Sequence, residues 1–167
     1  MINVDELRLN ELEEAAEFLK FTWVDTYSHF LSQATIQKMT DFWLNTELLK
    51  KQVLDPDILF LSAKDDSHKI VGMLTVIKLD KETALLARMF VHPEKQRRGI
   101  GMRLLNEAIE RLRGYKKMRA EVEEKNTRGM NFCLKQGFKE IETKRELVEQ
   151  ALMYITVLEK TLGSQPR

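Results

Sequence analysis

From Val91 to Met102 the chain reads Val-His-Pro-Glu-Lys-Gln-Arg-Arg-Gly-Ile-Gly-Met, and this run leaves few folds open. Glu82 to His92, with Leu85, Leu86, Met89, Phe90 and Val91, reads as a strand. Pro93 stops it, because proline donates nothing to a strand ladder. Beyond the turn, Ile100, Leu104, Leu105, Ala108, Ile109 and Leu112 recur at helical spacing, and Gly114 offers a C-terminal stop. A strand therefore passes through a basic, glycine-bearing turn into an amphipathic helix. The first N–H groups of such a helix are unpaired and carry the positive end of its dipole, which suits an anionic diphosphate. Gly99 and Gly101 let phosphate oxygens approach the backbone, while Lys95, Arg97 and Arg98 add positive charge around the same point. Gln96, Arg97, Arg98, Gly99, Ile100, Gly101 and Met102 are the candidate cofactor-binding residues of this turn.

Two familiar phosphate motifs do not fit. A Walker A loop needs Gly-x-x-x-x-Gly-Lys-Ser/Thr, which occurs nowhere in the chain. A dinucleotide fingerprint needs a third glycine where Leu104 stands, and it belongs to a first strand-helix unit rather than to the exit of a meander.

The rest of the chain supplies the frame. Apolar residues from Asn10 to about Leu31 recur at steps of three and four, as do Ile36 to Val53 after Ser32 and Gln33, with a break near Asn45. These are helices. Asp55-Pro56-Asp57 then leads into strands at Ile58–Ala63 and Ile70–Ile77, joined by the polar turn Asp65-Asp66-Ser67-His68. Further strands are expected at Met118–Val122, Phe138–Glu142 and Leu152–Leu158, with a short helix from Thr127 to Gln136 closed by Gly137. The order implies an α/β (α+β) fold whose sheet has helices on both faces and one right-handed parallel crossover around Gly99. One domain over residues 1–162 is expected, followed by a loose tail from Gly163 to Arg167.

Charge and cysteine content narrow the setting. With 27 basic against 26 acidic residues the chain lacks the field of a nucleic-acid binder. Cys133 is the single cysteine, so no internal disulfide forms and a reducing, cytoplasmic location is expected. No stretch approaches the roughly 20 apolar residues that span a bilayer. The three histidines have no metal-ligand spacing, and no metal is expected.

The turn also carries a family likeness. Residues Arg88 to Leu105 resemble the acetyl-CoA-binding motif of the GNAT superfamily of N-acetyltransferases, Gln/Arg-x-x-Gly-x-Gly/Ala after a strand ending Val-x-Pro; Gln96, Gly99 and Gly101 fill its fixed places. Val122-Glu123-Glu124-Lys125-Asn126 followed by Phe132-Cys133-Leu134-Lys135-Gln136-Gly137-Phe138 resembles the family's second block, Asn…Phe-Tyr-x-x-x-Gly-Phe. Phe21 to Tyr27 is similar to the first helix of bacterial polyamine acetyltransferases.

The resemblance implies a mixed, mostly antiparallel sheet of about seven strands, and acetyl-CoA as acyl donor. The cofactor arm would lie between splayed strands at Leu85–Val91 and Met118–Val122, beside the backbone of Met89, Phe90 and Val91. Asn126 matches an asparagine that steadies that arm, and equally suits the N-cap of the next helix. Cys133 stands where many members carry the tyrosine proposed to protonate the leaving thiolate; it is a candidate acid, a cofactor-binding residue lining the thioester pocket, or a small core residue. Tyr154 or Tyr115 are substitutes for that acid. Leu85 stands where some relatives carry a glutamate base, which leaves Glu82, Glu121 or a water chain. Trp23 and Tyr27, with Phe30 and Trp43, line an acceptor pocket or belong to the core; Asp25, Glu82, Glu121 and Glu123 are candidates to attract a cationic amine. The implied activity is direct acetyl transfer to a small primary amine, a polyamine first. The alternatives are a protein N-terminus, an aminoglycoside, or a non-catalytic acyl-CoA-binding module. An exposed final strand makes a homodimer reasonable.

Overall fold

The computed structural model describes residues 1–148 and 150–163. Of the expected tail only Gly163 falls within them. Strand β1 (Asn3–Glu6) leads through a 3-10 turn (Leu9–Glu11) into helices α1 (Leu12–Tyr27), α2 (Gln33–Trp43) and α3 (Thr46–Leu54). Strands β2 (Ile58–Lys64), β3 (Ile70–Lys78) and β4 (Thr83–Val91) form the meander. Then come α4 (Ile100–Arg111), β5 (Lys117–Glu123), α5 (Thr127–Lys135), β6 (Lys139–Val148) and β7 (Ala151–Thr161).

Local chemistry sets several of these boundaries. The Ser32 hydroxyl accepts from the Thr35 N–H and starts α2, and Asn45 Oδ1 accepts from the Leu48 N–H and starts α3. The long second helical segment is thus divided at Asn45. β1 is four residues long and mostly exposed, too short for an alternating pattern to betray it. β6 runs well past the expected Phe138–Glu142, because its charged and exposed residues hide the alternation that marks a half-buried strand.

The sheet order is β1-β2-β3-β4-β5-β7-β6, and only β4 and β5 pair in parallel. The expected mixed, mostly antiparallel sheet of seven strands is what forms. One expectation is corrected here. The final strand β7 lies between β5 and β6, so the exposed edge belongs to β6 and the case for a dimer through the last strand loses its footing.

Each face of the sheet is covered by its own core. On one face Ile100, Leu104, Leu105, Ala108 and Leu112 of α4 and its end pack on Leu61, Leu74, Ala120 and Leu158. On the other, α1, α2 and α3 bring Leu19, Ile36, Met39 and Leu49 against Phe60, Met73, Met153 and Ile155. Complete burial of a leucine such as Leu104 contributes about 2 kcal/mol of transfer free energy. A Cβ added at Gly72 of β3 would lie 3.0 Å from both Ile100 and Leu104, so this glycine lets α4 sit close on the sheet.

Candidate active site

The parallel pairing of β4 with β5 stops early. Thr83 to Leu86 face Lys117 to Ala120, and beyond them the two strands separate. Arg88 to Val91 therefore have a pairing strand on one side only, and the sheet opens there. A β-bulge accompanies the opening: Thr75 faces Arg88 and Val76 faces Leu86, which leaves Ala87 without a partner on β3. The extra residue changes which face the side chains reach. Ala84 and Leu86 belong to the α4 core, whereas Arg88 and Phe90 lie with the α1–α3 face, and Met89 and Val91 return to α4.

At the head of the opening, Arg97 and Gly99 have positive φ angles of 65° and 81°. For arginine this is an uncommon conformation, held here by the turn. From Arg97 to Met102 no backbone N–H donates to a backbone acceptor among the described residues; the first helical bond runs from Arg103 N–H to the Gly99 carbonyl. A row of free N–H groups thus lies at the start of α4. Gln96 anchors the turn by donating from Nε2 to the Val91 carbonyl at 3.1 Å. Arg128, at the start of α5, donates to Gln96 Oε1 at 2.6 Å and to Asp25 Oδ2 at 2.9 Å, tying turn, α5 and α1 together.

These features enclose a cleft of about 660 Å³ between turn, splayed strand and α5. Met89, Phe90, Val91, Gln96, Arg97, Gly99, Ile100, Gly101, Met102 and Asn126 all line it, so most of the cofactor candidates converge. Arg98 is exposed and outside its lining. Asn126 also caps α5, its Oδ1 accepting from the Gly129 N–H at 3.1 Å. Arg128 and Thr22, which no sequence pattern singles out, and Phe132 of the second block line the same cleft from α5 and α1. The row of free N–H groups, the glycine in the left-handed region and the basic rim suit a diphosphate-bearing cofactor.

A second cavity of about 310 Å³ lies on the α1–α3 face, lined by Trp23, Tyr27, Trp43, Gln52, Arg88 and Phe90 among others. Phe90 borders both cavities. Trp23 and Tyr27 meet here at a ring separation of 4.3 Å, packing in the core and walling the cavity. Burial, with the Glu123 charge adding to it, pushes the Tyr27 phenol up to about 12. Glu123 itself is buried at the end of β5, where its Oε2 accepts from the Lys125 N–H at 2.5 Å.

The catalytic candidates scatter. Cys133 is buried in the α4 core and lines neither cavity; desolvation pushes its thiol up to about 11. Glu82 is exposed at the closed end of β4 and pairs with Lys116 at 3.3 Å, at the opposite end of the strand from the turn. Glu121 pairs with Lys144 at 3.0 Å on the exposed surface. Tyr154 lies on β7 between Met153 and Ile155 of the α1–α3 core, so alternation turns its side chain to the other face.

Residues 15–138 match the Acetyltransferase (GNAT) family. The chain belongs to that family. As a GNAT-family N-acetyltransferase it is 30% identical over 148 residues to the spermidine N(1)-acetyltransferase of Thermoplasma acidophilum, across 83% of this chain and 88% of that protein. The crystal structure of the PaiA N-acetyltransferase from Thermoplasma acidophilum in complex with coenzyme A superposes with a TM-score of 0.83 and 27% identity, covering 96% of this chain and 99% of that one. A GNAT-family acetyltransferase from Staphylococcus aureus shares the fold, with a TM-score of 0.77, 20% identity and coverage of 97% and 99%. Among the described residues no helix of this acetyltransferase is long and apolar enough to cross a membrane.

Proposed function

We propose that this acetyltransferase moves the acetyl group of acetyl-CoA to the primary amine of a small acceptor. The observation that carries the reading is the opening between β4 and β5, with the free N–H groups of the Arg97–Met102 turn at its head and an aromatic cavity behind Phe90. Bound acetyl-CoA supplies an activated thioester. Arg97, Gln96 and the start of α4 hold its diphosphate, and the unpaired edge of β4 from Ala87 to Val91 orients its arm. Preorganised backbone donors of this sort stabilise charge as it develops on a carbonyl oxygen.

The acceptor amine must lose a proton as it attacks. Glu123 is suited to take it. It is buried on the α1–α3 face at the end of β5, and it has no cationic side-chain partner among the described residues, whereas Glu82 and Glu121 are exposed and paired with lysines. Tyr27, held protonated by its surroundings, adds a neutral hydrogen-bond donor to the cavity wall. The likeness to a spermidine acetyltransferase places polyamines in the acceptor panel beside other small primary amines.

The test has two parts. Isothermal titration should show acetyl-CoA binding in the micromolar range, and a free-thiol assay across a panel of amines should show turnover with at least one. Failure to bind acetyl-CoA at high micromolar concentration ends this reading.

A further inference from the structure

Among the described residues Arg88 has no counter-ion. The bulge at Ala87 turns it onto the α1–α3 face, into the cavity walled by Trp23, Tyr27, Trp43 and Phe90. Its Nη1 donates to Gln52 Oε1 at 2.8 Å and stands 3.4 Å from Thr75 Oγ1, and its guanidinium lies 5.9 Å from the centre of the Phe60 ring. These partners are all neutral. Among the described residues no carboxylate forms an ion pair with it, and its remaining N–H donors have no partner. Burial lowers the guanidinium to about 10, which still leaves it fully charged at neutral pH. Glu123, on the same face of the neighbouring strand, is a buried carboxyl group with no cationic side-chain partner among the described residues. The two charges share the acceptor face without pairing with each other.

We propose that Arg88 binds a carboxylate of the acceptor, so that the preferred acceptor is a primary amine with a carboxylate at its far end. The proposal rests on the acetyl-transfer reading and narrows its acceptor class. A planar carboxylate matches the fork of free guanidinium donors, and its amine end is drawn towards Glu123. A polyamine would instead present a second ammonium to a desolvated cation.

Trp23 and Trp43 are the chain's two tryptophans, and both wall this cavity, so intrinsic fluorescence reports on it directly. The probes are γ-aminobutyrate, its primary amide and putrescine, which differ only in an anionic, neutral or cationic far group. γ-Aminobutyrate should perturb the fluorescence at a concentration about tenfold or more below the other two, the worth of one charge-assisted hydrogen-bonding pair. Arg88→Gln should abolish that preference, and Arg88→Lys should keep part of it. Equal response to the three probes, a preference for putrescine, or an unchanged preference in a folded Arg88→Gln overturns the proposal. The wild-type comparison stands even where Arg88→Gln fails to fold. Thiol release is read separately: turnover without carboxylate preference sinks this proposal and leaves acetyl transfer intact, whereas Arg88-dependent binding without turnover of any amine does the reverse.

Discussion

Arg128 holds Gln96: its Nη1 donates to Gln96 Oε1 at 2.6 Å, while its other terminal nitrogen reaches Asp25. One side chain at the start of α5 thus fastens the turn before α4 to α1, the helix that walls the aromatic cavity. The Arg128–Asp25 pair is half exposed and worth at most about 1 kcal/mol to folding. Its larger effect is on the shape of the cleft. Arg128→Ala should raise the acetyl-CoA dissociation constant about tenfold, equivalent to about 1.4 kcal/mol, with little loss of thermal stability. Calorimetric titration beside a thermal melt checks both halves.

Gly99 and Gly101 fill fixed places in one motif for different reasons. Gly99 has φ of 81° and open space where a Cβ would be, so Gly99→Ala meets strain and no clash. The left-handed conformation costs a non-glycine residue about 1–2 kcal/mol, less for asparagine. Melting should therefore show Gly99→Ala destabilised and Gly99→Asn less so. A Cβ at Gly101 would approach Phe132 to 3.2 Å and Met89 to 3.5 Å, so Gly101→Ala must push on two residues that line the cleft. Acetyl-CoA affinity should fall more for Gly101→Ala than its melting temperature suggests.

The glycine turn before α4 was legible because its chemistry is local: proline, basic residues and glycines lie within one short run, and the proposed phosphate contacts are made by backbone groups. The same holds for the helix starts at Ser32, Asn45 and Asn126, each of which caps with its own side chain. The proposed acceptor side was not legible. Arg88, Glu123 and Tyr27 come from β4, β5 and α1, and the bulge that turns Arg88 onto their face shows only in the pairing of β4 with β3. No spacing within β4 announces it. β7 failed in another way, since its place between β5 and β6 depends on pairing across the sheet rather than on its position in the chain.

Cys133 should be dispensable for turnover. It is buried in the α4 core and lines neither cavity, so Cys133→Ala should keep kcat within about twofold and cost on the order of 1 kcal/mol of stability from lost packing. The native thiol should also resist a thiol reagent at neutral pH and react once the chain is unfolded. Its raised pKa has a consequence at high pH. The folded protein keeps a proton that the unfolded chain releases from about pH 9, so this contribution to stability is full below about 9 and is lost as pH rises towards about 11. Tyr27, raised from 10.0 to about 12, extends the loss to higher pH with the same sign. Chemical denaturation across this range should show stability falling from about pH 9 in the wild type, with the first part of the fall absent in Cys133→Ala.

Glu123 and its two neighbours in charge, Glu82 and Glu121, make the assignment of the proton acceptor testable. Glu123→Gln keeps the shape and hydrogen-bonding capacity of the side chain, and its Oε1 can still accept from the Lys125 N–H, so fold and acetyl-CoA affinity should be preserved. What it removes is the capacity to take a proton. Loss of a positioned general base costs about 100- to 10,000-fold in rate. The kcat of Glu123→Gln should fall within that range at neutral pH and recover partly at higher pH, where more of the amine is already deprotonated. Glu82→Gln and Glu121→Gln should stay within about twofold of wild type, because each carboxylate is exposed and held by a lysine. A wild-type rate in Glu123→Gln across the whole pH range would transfer the role to water. A selective loss in Glu121→Gln would instead mean that the Lys144 pair opens during turnover.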